Sequence, residues 1–329
     1  MTTTLSQSGI PPRAAGRPRR QRIASSRNHG GWVEMAPGVW YLTIGFVNAY
    51  AVGDPAGRWV LVDTGLPGTH GFTRAALARR WGADARPSAI VLTHGHFDHA
   101  GSARALAEAW DVPVYAGPLE LPYLTGRSDY PPRDPSMGGA IAQMSRLFPT
   151  SGIDLRGRVH ALPDDGTVPE MQGWRWLHTP GHTSGHVSLF RAADGVLIAG
   201  DALATLDMDA WASHVTEHRE LDRPAAPFTT DWQAARRSVG RLADLAPSVI
   251  GAGHGIPLAG AGLARDLRLL AATLPVPAHG RYVARPARAD ESGVVWVPPP
   301  VPDPLLPRLA VAGAAAAAVL LLARAARRR

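Results

Sequence analysis

Ser88-Ala89-Ile90-Val91-Leu92-Thr93-His94-Gly95-His96-Phe97-Asp98-His99-Ala100-Gly101 joins a short apolar run to the start of a segment rich in helix formers. Three histidines and an aspartate fall within six positions at the join. Ser88 to Thr93 reads as a buried strand and Ala100 to Trp110 as a helix, so these side chains sit in a strand-to-helix loop. His94 and His96 are two apart in an extended segment and can aim their imidazoles the same way. Asp98 and His99 stand at the turn into the helix and can serve a second ion, and Gly95 lets the backbone bend between the two pairs.

Four ligands in one loop cannot close two coordination spheres, so this reading requires further His and Asp downstream. His182 lies in Thr179-Pro180-Gly181-His182-Thr183-Ser184-Gly185-His186, just before the apolar run Val187 to Phe190. Asp201 follows Val196-Leu197-Ile198-Ala199-Gly200, and His254 follows Ser248-Val249-Ile250-Gly251-Ala252-Gly253. Each stands beside an apolar run and small residues that let a metal approach. The remaining histidines, His29, His70, His160, His178, His186, His214, His218 and His279, read as ordinary polar residues.

The ordered set His94, His96, Asp98, His99, His182, Asp201 and His254 resembles the metallo-β-lactamase fold hydrolases over roughly residues 32 to 275. Val62-Asp63-Thr64-Gly65 matches that family's early Asp-Thr-Gly turn. The resemblance implies an α/β fold, a four-layer αββα sandwich in which two half-domains each contribute a sheet. It also implies two divalent metal ions, zinc first, with iron or manganese as alternatives. His94, His96 and His182 would hold the first, Asp98, His99 and His254 the second, and Asp201 would bridge both. Asp63 reads instead as a residue that orients the ligand loop by hydrogen bonds. Two cations that share a water can lower its pKa toward neutrality, so hydroxide can attack a carbonyl without a side-chain nucleophile. The resemblance makes Asp98 the catalytic group that orients that hydroxide and then carries a proton.

Composition narrows the chemistry. With no cysteine among 329 residues, disulfides, thiol nucleophiles and cysteine-liganded metal sites are excluded. All 34 basic side chains are arginine, ten of them in residues 1–31 and 324–329; setting those ten aside turns the formal +7 into −3 for residues 32–323. A mildly acidic body disfavours a nucleic-acid partner and points to a small-molecule substrate.

The chain divides on this reading into a basic disordered tail (1–31), the hydrolase domain (32–275), a Pro-rich linker (276–308), an apolar segment (309–323) and a basic end (324–329). Strands are expected over Val39 to Ile44, Val47 to Val52, Trp59 to Val62, Val159 to Leu162, Trp174 to Leu177, Val187 to Phe190 and Val196 to Ala199. Helices are expected over Thr69 to Trp81 and Asp231 to Leu245. Leu119 to Pro149 and Leu203 to Phe228 read as long irregular segments and candidate substrate lids. With no apolar stretch near the start long enough for a signal peptide, the body is expected to be cytoplasmic. Leu309 to Ala323 is uncharged for 15 residues, about 22 Å of helix, short of a bilayer core of roughly 30 Å, so contact with a membrane surface competes with spanning.

Related activities are separated by single features. A flavodiiron protein would carry Glu where His96 stands, and an acyl-homoserine lactonase would place Tyr at the position of Ala204. Glyoxalase II and ribonuclease Z would need basic domains for glutathione or RNA. The sequence therefore points to a dinuclear hydrolase of an ester, thioester or lactone. A phosphodiesterase or nuclease of the same fold, or a membrane-tethered metal-binding protein without turnover, are the alternatives.

Overall fold

The computed structural model describes residues 23–25, 30–53, 57–214, 216, 219–303 and 307. The first sheet holds, in spatial order, β1 (Val33–Ala36), β2 (Val39–Ile44), β3 (Val47–Gly53), β4 (Trp59–Val62), β5 (Ala89–Leu92), β6 (Val114–Ala116) and β7 (Val159–Ala161). It is antiparallel up to β4 and parallel from β4 to β7. Parallel neighbours need crossovers, and these carry helices α1 (His70–Trp81), α2 (Phe97–Ala100), α3 (Ala103–Trp110), α4 (Leu121–Leu124) and α5 (Ala140–Ser145). The second sheet contains β8 (Trp174–His178), β9 (Val187–Arg191), β10 (Val196–Ile198), β11 (Val249–Gly251) and β12 (Leu258–Ala259), ordered β12-β11-β10-β9-β8. Its β10–β11 pair is parallel, joined through a connection that includes α6 (Trp232–Asp244), and α7 (Leu263–Thr273) follows β12.

Strand alternation explains why the two sheets stack. Ala49, Ala51, Trp59, Leu61, Ile90 and Leu92 face the core shared with α1 and α3, while their neighbours Tyr50, Val52, Val60, Val62, Ala89 and Val91 face the second sheet. There they meet Val187, Leu189, Val196 and Ile198. Leu197 and Ile250 point the other way, onto Val239 and Leu242 of α6 and Leu263 and Leu267 of α7. A strand buried on both faces must be apolar at every position, which is why β4 and β5 read as continuous hydrophobic runs. The result is a four-layer αββα sandwich. Asp231 caps α6 by accepting the Ala234 N–H at 2.8 Å.

Three expectations need correction. The helix read over Ala100 to Trp110 is two pieces, broken at Gly101 and Ser102, where Ser102 leaves helical geometry and its Oγ donates to the Leu66 carbonyl at 2.7 Å. The tail expected over 1–31 is packed at its end: Ile23 is buried in the inter-sheet core, and Tyr41 Oη donates to the Ala24 carbonyl at 2.5 Å. Residues 1–22 and 26–29 lie outside the described residues. The segment 276–308, expected as a linker, instead packs on the domain through residue 303. It forms a hairpin, β13 (Arg288–Asp290) and β14 (Gly293–Trp296), buries Tyr282 and braces the 119–149 segment. Tyr282 Oη donates to the Pro132 carbonyl (2.5 Å), the Val294 N–H to Ser128 Oγ (3.1 Å), and Arg146 makes a bidentate pair with Asp303 (2.5 and 3.1 Å). Proline count masked that packing, in which Tyr282, Val276, Val283 and Ala287 cluster with Ala226 and Trp232 beside the hydrogen bonds.

Among the described residues no helix is long and apolar enough to cross a membrane. The apolar segment 309–323 and the basic end 324–329 lie outside them.

The 203–228 segment is pinned where Ala204 and Asp222 exchange backbone hydrogen bonds of 3.0 and 2.9 Å. Burial pushes the Asp222 carboxyl up to about 6, with Arg223 opposing and the charges of Asp207 and Asp209 adding. A folded pKa above the unfolded one means that ionisation disfavours folding: the stability is intact below the unfolded pKa near 4 and is lost as pH rises through 6. Asp222→Asn should therefore raise stability at pH 8 by on the order of 1 kcal/mol and change nothing near pH 4. Thermal melts across that range check it; an equal gain at both ends would rule the account out.

Candidate metal centre

Every predicted ligand sits at or just past the carboxyl end of a strand, on one edge of the sandwich. His94 and His96 follow β5, Asp98 and His99 lie in α2, His182 is in the turn between β8 and β9, Asp201 follows β10 and His254 follows β11. All seven are at most 9 % exposed. Chain positions 94 to 254 are brought together because the two sheets meet along this edge. Asn48 ties the seam: its N–H donates to the Gly253 carbonyl (2.8 Å) and its amide to the carbonyls of Ala252 (3.0 Å) and Gly255 (2.6 Å).

The side chains converge in two groups. His94 Nε2 and His182 Nε2 each lie 3.0 Å from His96 Nδ1. Nitrogens about 2.05 Å from one tetrahedral ion stand roughly 3.3 Å apart, so this triangle fits an ion with small adjustment. Asp98 Oδ2 lies 3.5 Å from His254 Nε2 and 3.9 Å from His99 Nε2. Asp201 stands between the groups, its Oδ2 3.5 Å from His182 Nε2 and 3.2 Å from His254 Nε2, its Oδ1 3.4 Å from His99 Nε2. Each group could hold a metal ion. His99 Nε2 and Asp201 Oδ1 are buried without a hydrogen-bond partner, which is costly in a protein interior and is relieved by a cation between them. A Cβ on Gly253 would fall 1.9 Å from Asp201 Oδ1, so that position must be glycine for the carboxylate to occupy its place.

The far nitrogens of His94, His99 and His254 are committed elsewhere, which aims their near ones. His99 Nδ1 donates to Asp63 Oδ2 at 2.8 Å and His254 Nδ1 to the Phe46 carbonyl at 2.8 Å. His94 Nδ1 lies 3.2 Å from Thr93 Oγ1, whose own proton goes to Asp63 Oδ2 at 2.8 Å. Asp63 also accepts the Thr93 N–H (2.8 Å), so its one carboxylate, held in a left-handed backbone conformation with φ 57°, fixes both ends of the ligand loop. Burial, reinforced by the neighbouring imidazoles, drives His94 and His96 well below the usual histidine range. Burial takes His182 down to about 4, with Asp201 opposing. These three are neutral near pH 7, the form in which imidazole binds metal. Burial also opposes the charge on Asp201, yet His254 and His99 outweigh it and hold the carboxylate well below the usual range.

Two supporting residues escape a motif-based reading. His186, set aside as an ordinary polar residue, is fully buried behind the ligands: its Nε2 accepts the Asp201 N–H (2.8 Å) and its Nδ1 donates to Thr179 Oγ1 (2.9 Å). Burial lowers it to about 3, so it stays neutral and fixes the backbone of Asp201. Glu120, in Gly117-Pro118-Leu119-Glu120, belongs to no motif. It is fully buried and accepts four hydrogen bonds: from Gly95 N–H (2.9 Å), Tyr130 Oη, Thr183 Oγ1 (2.6 Å) and Gly185 N–H (3.1 Å). It thereby clamps the His94–His96 loop to the His182 loop, and the Tyr130 ring packs tilted against His96, 4.4 Å between centroids. Because all four partners are donors, Glu120→Gln would set an amide N–H against a donor. A loss of roughly 2–3 kcal/mol in the metal-free chain and at least a tenfold loss in affinity for the first ion is expected. Denaturant titration and metal titration check it; a variant matching the parent in both would remove Glu120 from the design of the site.

Comparison with known proteins agrees with this architecture. Residues 42–254 match the family model of the metallo-beta-lactamase superfamily. The chain is 43% identical over 252 residues to the probable metallo-hydrolase YflN of Bacillus subtilis (strain 168), covering 76% of this chain and 95% of that protein. A second relative from that organism, the probable metallo-hydrolase YybB, is 29% identical over 196 residues, 59% of this chain and 74% of its own. Among solved structures, the metallo-beta-lactamase family protein TTHA1429 from Thermus thermophilus superimposes with a TM-score of 0.50 at 27% identity, covering 73% of this chain and 78% of that one. Sheet order, the strand-end cluster of histidines and aspartates, and the match across both halves lead to one conclusion: the chain belongs to the metallo-β-lactamase superfamily and is a metal-dependent hydrolase.

Proposed function

We propose that the protein hydrolyses an ester, thioester or lactone of a small molecule at a two-ion centre, with zinc as the first expectation and iron or manganese as alternatives. The observation that supports it most directly is Asp201, whose two oxygens reach candidate ligand atoms of both groups. His94, His96 and His182 would hold one ion, Asp98, His99 and His254 the other, and Asp201 both. When bound, the ions supply water acidified toward neutral pH and polarise the substrate carbonyl.

The chain's own residues do the rest. Asp98 turns Oδ2 toward His254, which leaves Oδ1 to orient the attacking water and take its proton. Asp98 also lines the pocket, so it can pass that proton to the leaving oxygen or sulfur. Asp63, from behind, keeps His99 and the ligand loop in place. With water as the attacking group no residue is needed as a covalent nucleophile; Ser184 Oγ lies 3.4 Å from Tyr123 Oη.

Aryl esters assayed beside bis-aryl phosphodiesters, with metal present, test this reading. Turnover of esters with little on phosphodiesters is expected; the reverse preference would make the protein a phosphodiesterase and defeat the proposal.

A further inference from the structure

The candidate ligands open into a pocket whose other walls are hydrocarbon. Phe46, Phe97, Phe148 and Phe228 line it with Ile141 and Met208. Its polar lining residues, His96, Asp98, His182, Asp201 and His254, all belong to the candidate ligand set. Among the described residues no arginine lines it, in a chain that has 34.

The rings form a continuous row over the centre. Phe148 lies 5.7 Å from Phe46 and 6.3 Å from Phe228, with interplanar angles of 22° and 23°, and 5.1 Å from Phe97. Phe46 stacks 6.0 Å from His254, a candidate ligand of one ion, and Phe228 lies 5.6 Å from His96, a candidate ligand of the other. The row therefore spans both groups and meets whatever extends from the scissile bond.

That surface discriminates by charge. A carboxylate or phosphate beyond the metals would lose its hydration and face the negative side of phenyl rings with no donor to replace it. The free space among the rings is about 20 Å³, so a methylene chain enters only as the rings part, and each carbon buried there adds up to about threefold to fourfold in binding. We infer that the substrate presents an uncharged aliphatic group to the aromatic row, as an alkanoyl ester or thioester or an alkyl-bearing lactone. This rests on the hydrolytic reading above and narrows it.

The test uses the zinc-loaded full chain. Aryl esters of unbranched acids from acetate to octanoate are compared with the aryl monoester of adipate, whose chain ends in a carboxylate. The expected result is a kcat/KM that climbs roughly threefold per methylene over the first carbons, with hexanoate exceeding adipate by about a hundredfold. A flat series, or adipate equal to hexanoate, overturns the inference while leaving ester hydrolysis in place. Failure on every ester would sink the hydrolytic reading instead, so binding is measured separately. By calorimetry, 2-octanone should bind at least tenfold tighter than acetone, with a negative heat-capacity change; equal affinities overturn the inference whether or not any ester turns over. Phe148→Ala should erase at least tenfold of the octanone preference and Phe148→Leu should restore most of it. If the alanine variant does not fold, the two ketones on the parent chain still decide.

Discussion

Asp201→Asn is expected to strip the protein of metal at both positions and to lower kcat/KM by about a thousandfold or more, since the ions carry several kcal/mol of transition-state stabilisation. The carboxylate sits between the two groups, with one oxygen 3.4 Å from His99 and the other within 3.5 Å of both His182 and His254. An amide presents one neutral oxygen and a nitrogen that cannot ligate, so neither group keeps its shared anion. Asp201 is also the negative charge that His99 and His254 face; without it, two buried imidazoles lose their main compensating partner. Elemental analysis before and after dialysis, paired with kcat/KM, gives the answer. Two ions per chain retained at parental affinity would end the bridging assignment, and a parent holding one ion, indifferent to His254→Ala, would end the two-ion reading.

Asp98→Ala should behave differently: hydrolysis per bound metal falls by roughly a hundredfold to ten-thousandfold, the span of a lost general base, while stability changes little. Asp98 lines the pocket and approaches His254 and His99 at 3.5 and 3.9 Å, but it carries no part of the core. Burial already raises its carboxyl against the pull of His99 and His254, so its removal relieves a desolvation cost as it loses two long contacts. Rates normalised to metal content are the measurement that matters. Unchanged turnover per ion would leave Asp98 as a ligand alone.

The two predictions concern residues that were legible in the sequence because motif chemistry and strand periodicity coincide there. Strands buried on both faces, such as β4 and β5, announce themselves as unbroken apolar runs, and an Asp or His at the end of such a run has few structural reasons to be there. Glu120 gave no such signal. It stands among Pro118, Leu119, Leu121 and Pro122, and its importance arises from donors 25 residues before it and 63 to 65 after it. His186 gives no signal for a related reason: nothing local reveals that its ring nitrogen receives the Asp201 N–H. The irregular segments 119–149 and 203–228 were visible as such. What the sequence hid is that Ile141 and Phe148 of the first meet Met208 and Phe228 of the second in one pocket.

The hairpin β13–β14 and the residues around it change what counts as the end of this enzyme. A chain stopped at Leu274 would retain every candidate ligand and both sheets, yet would lose the contacts that Tyr282, Val294 and Asp303 make with Pro132, Ser128 and Arg146. Those contacts hold the stretch that carries Ile141 and Phe148. If the aromatic row selects the substrate as inferred above, a chain cut at Leu274 is expected to lose discrimination among acyl groups before it loses metal, because the ligands stay while the wall behind them loses its support.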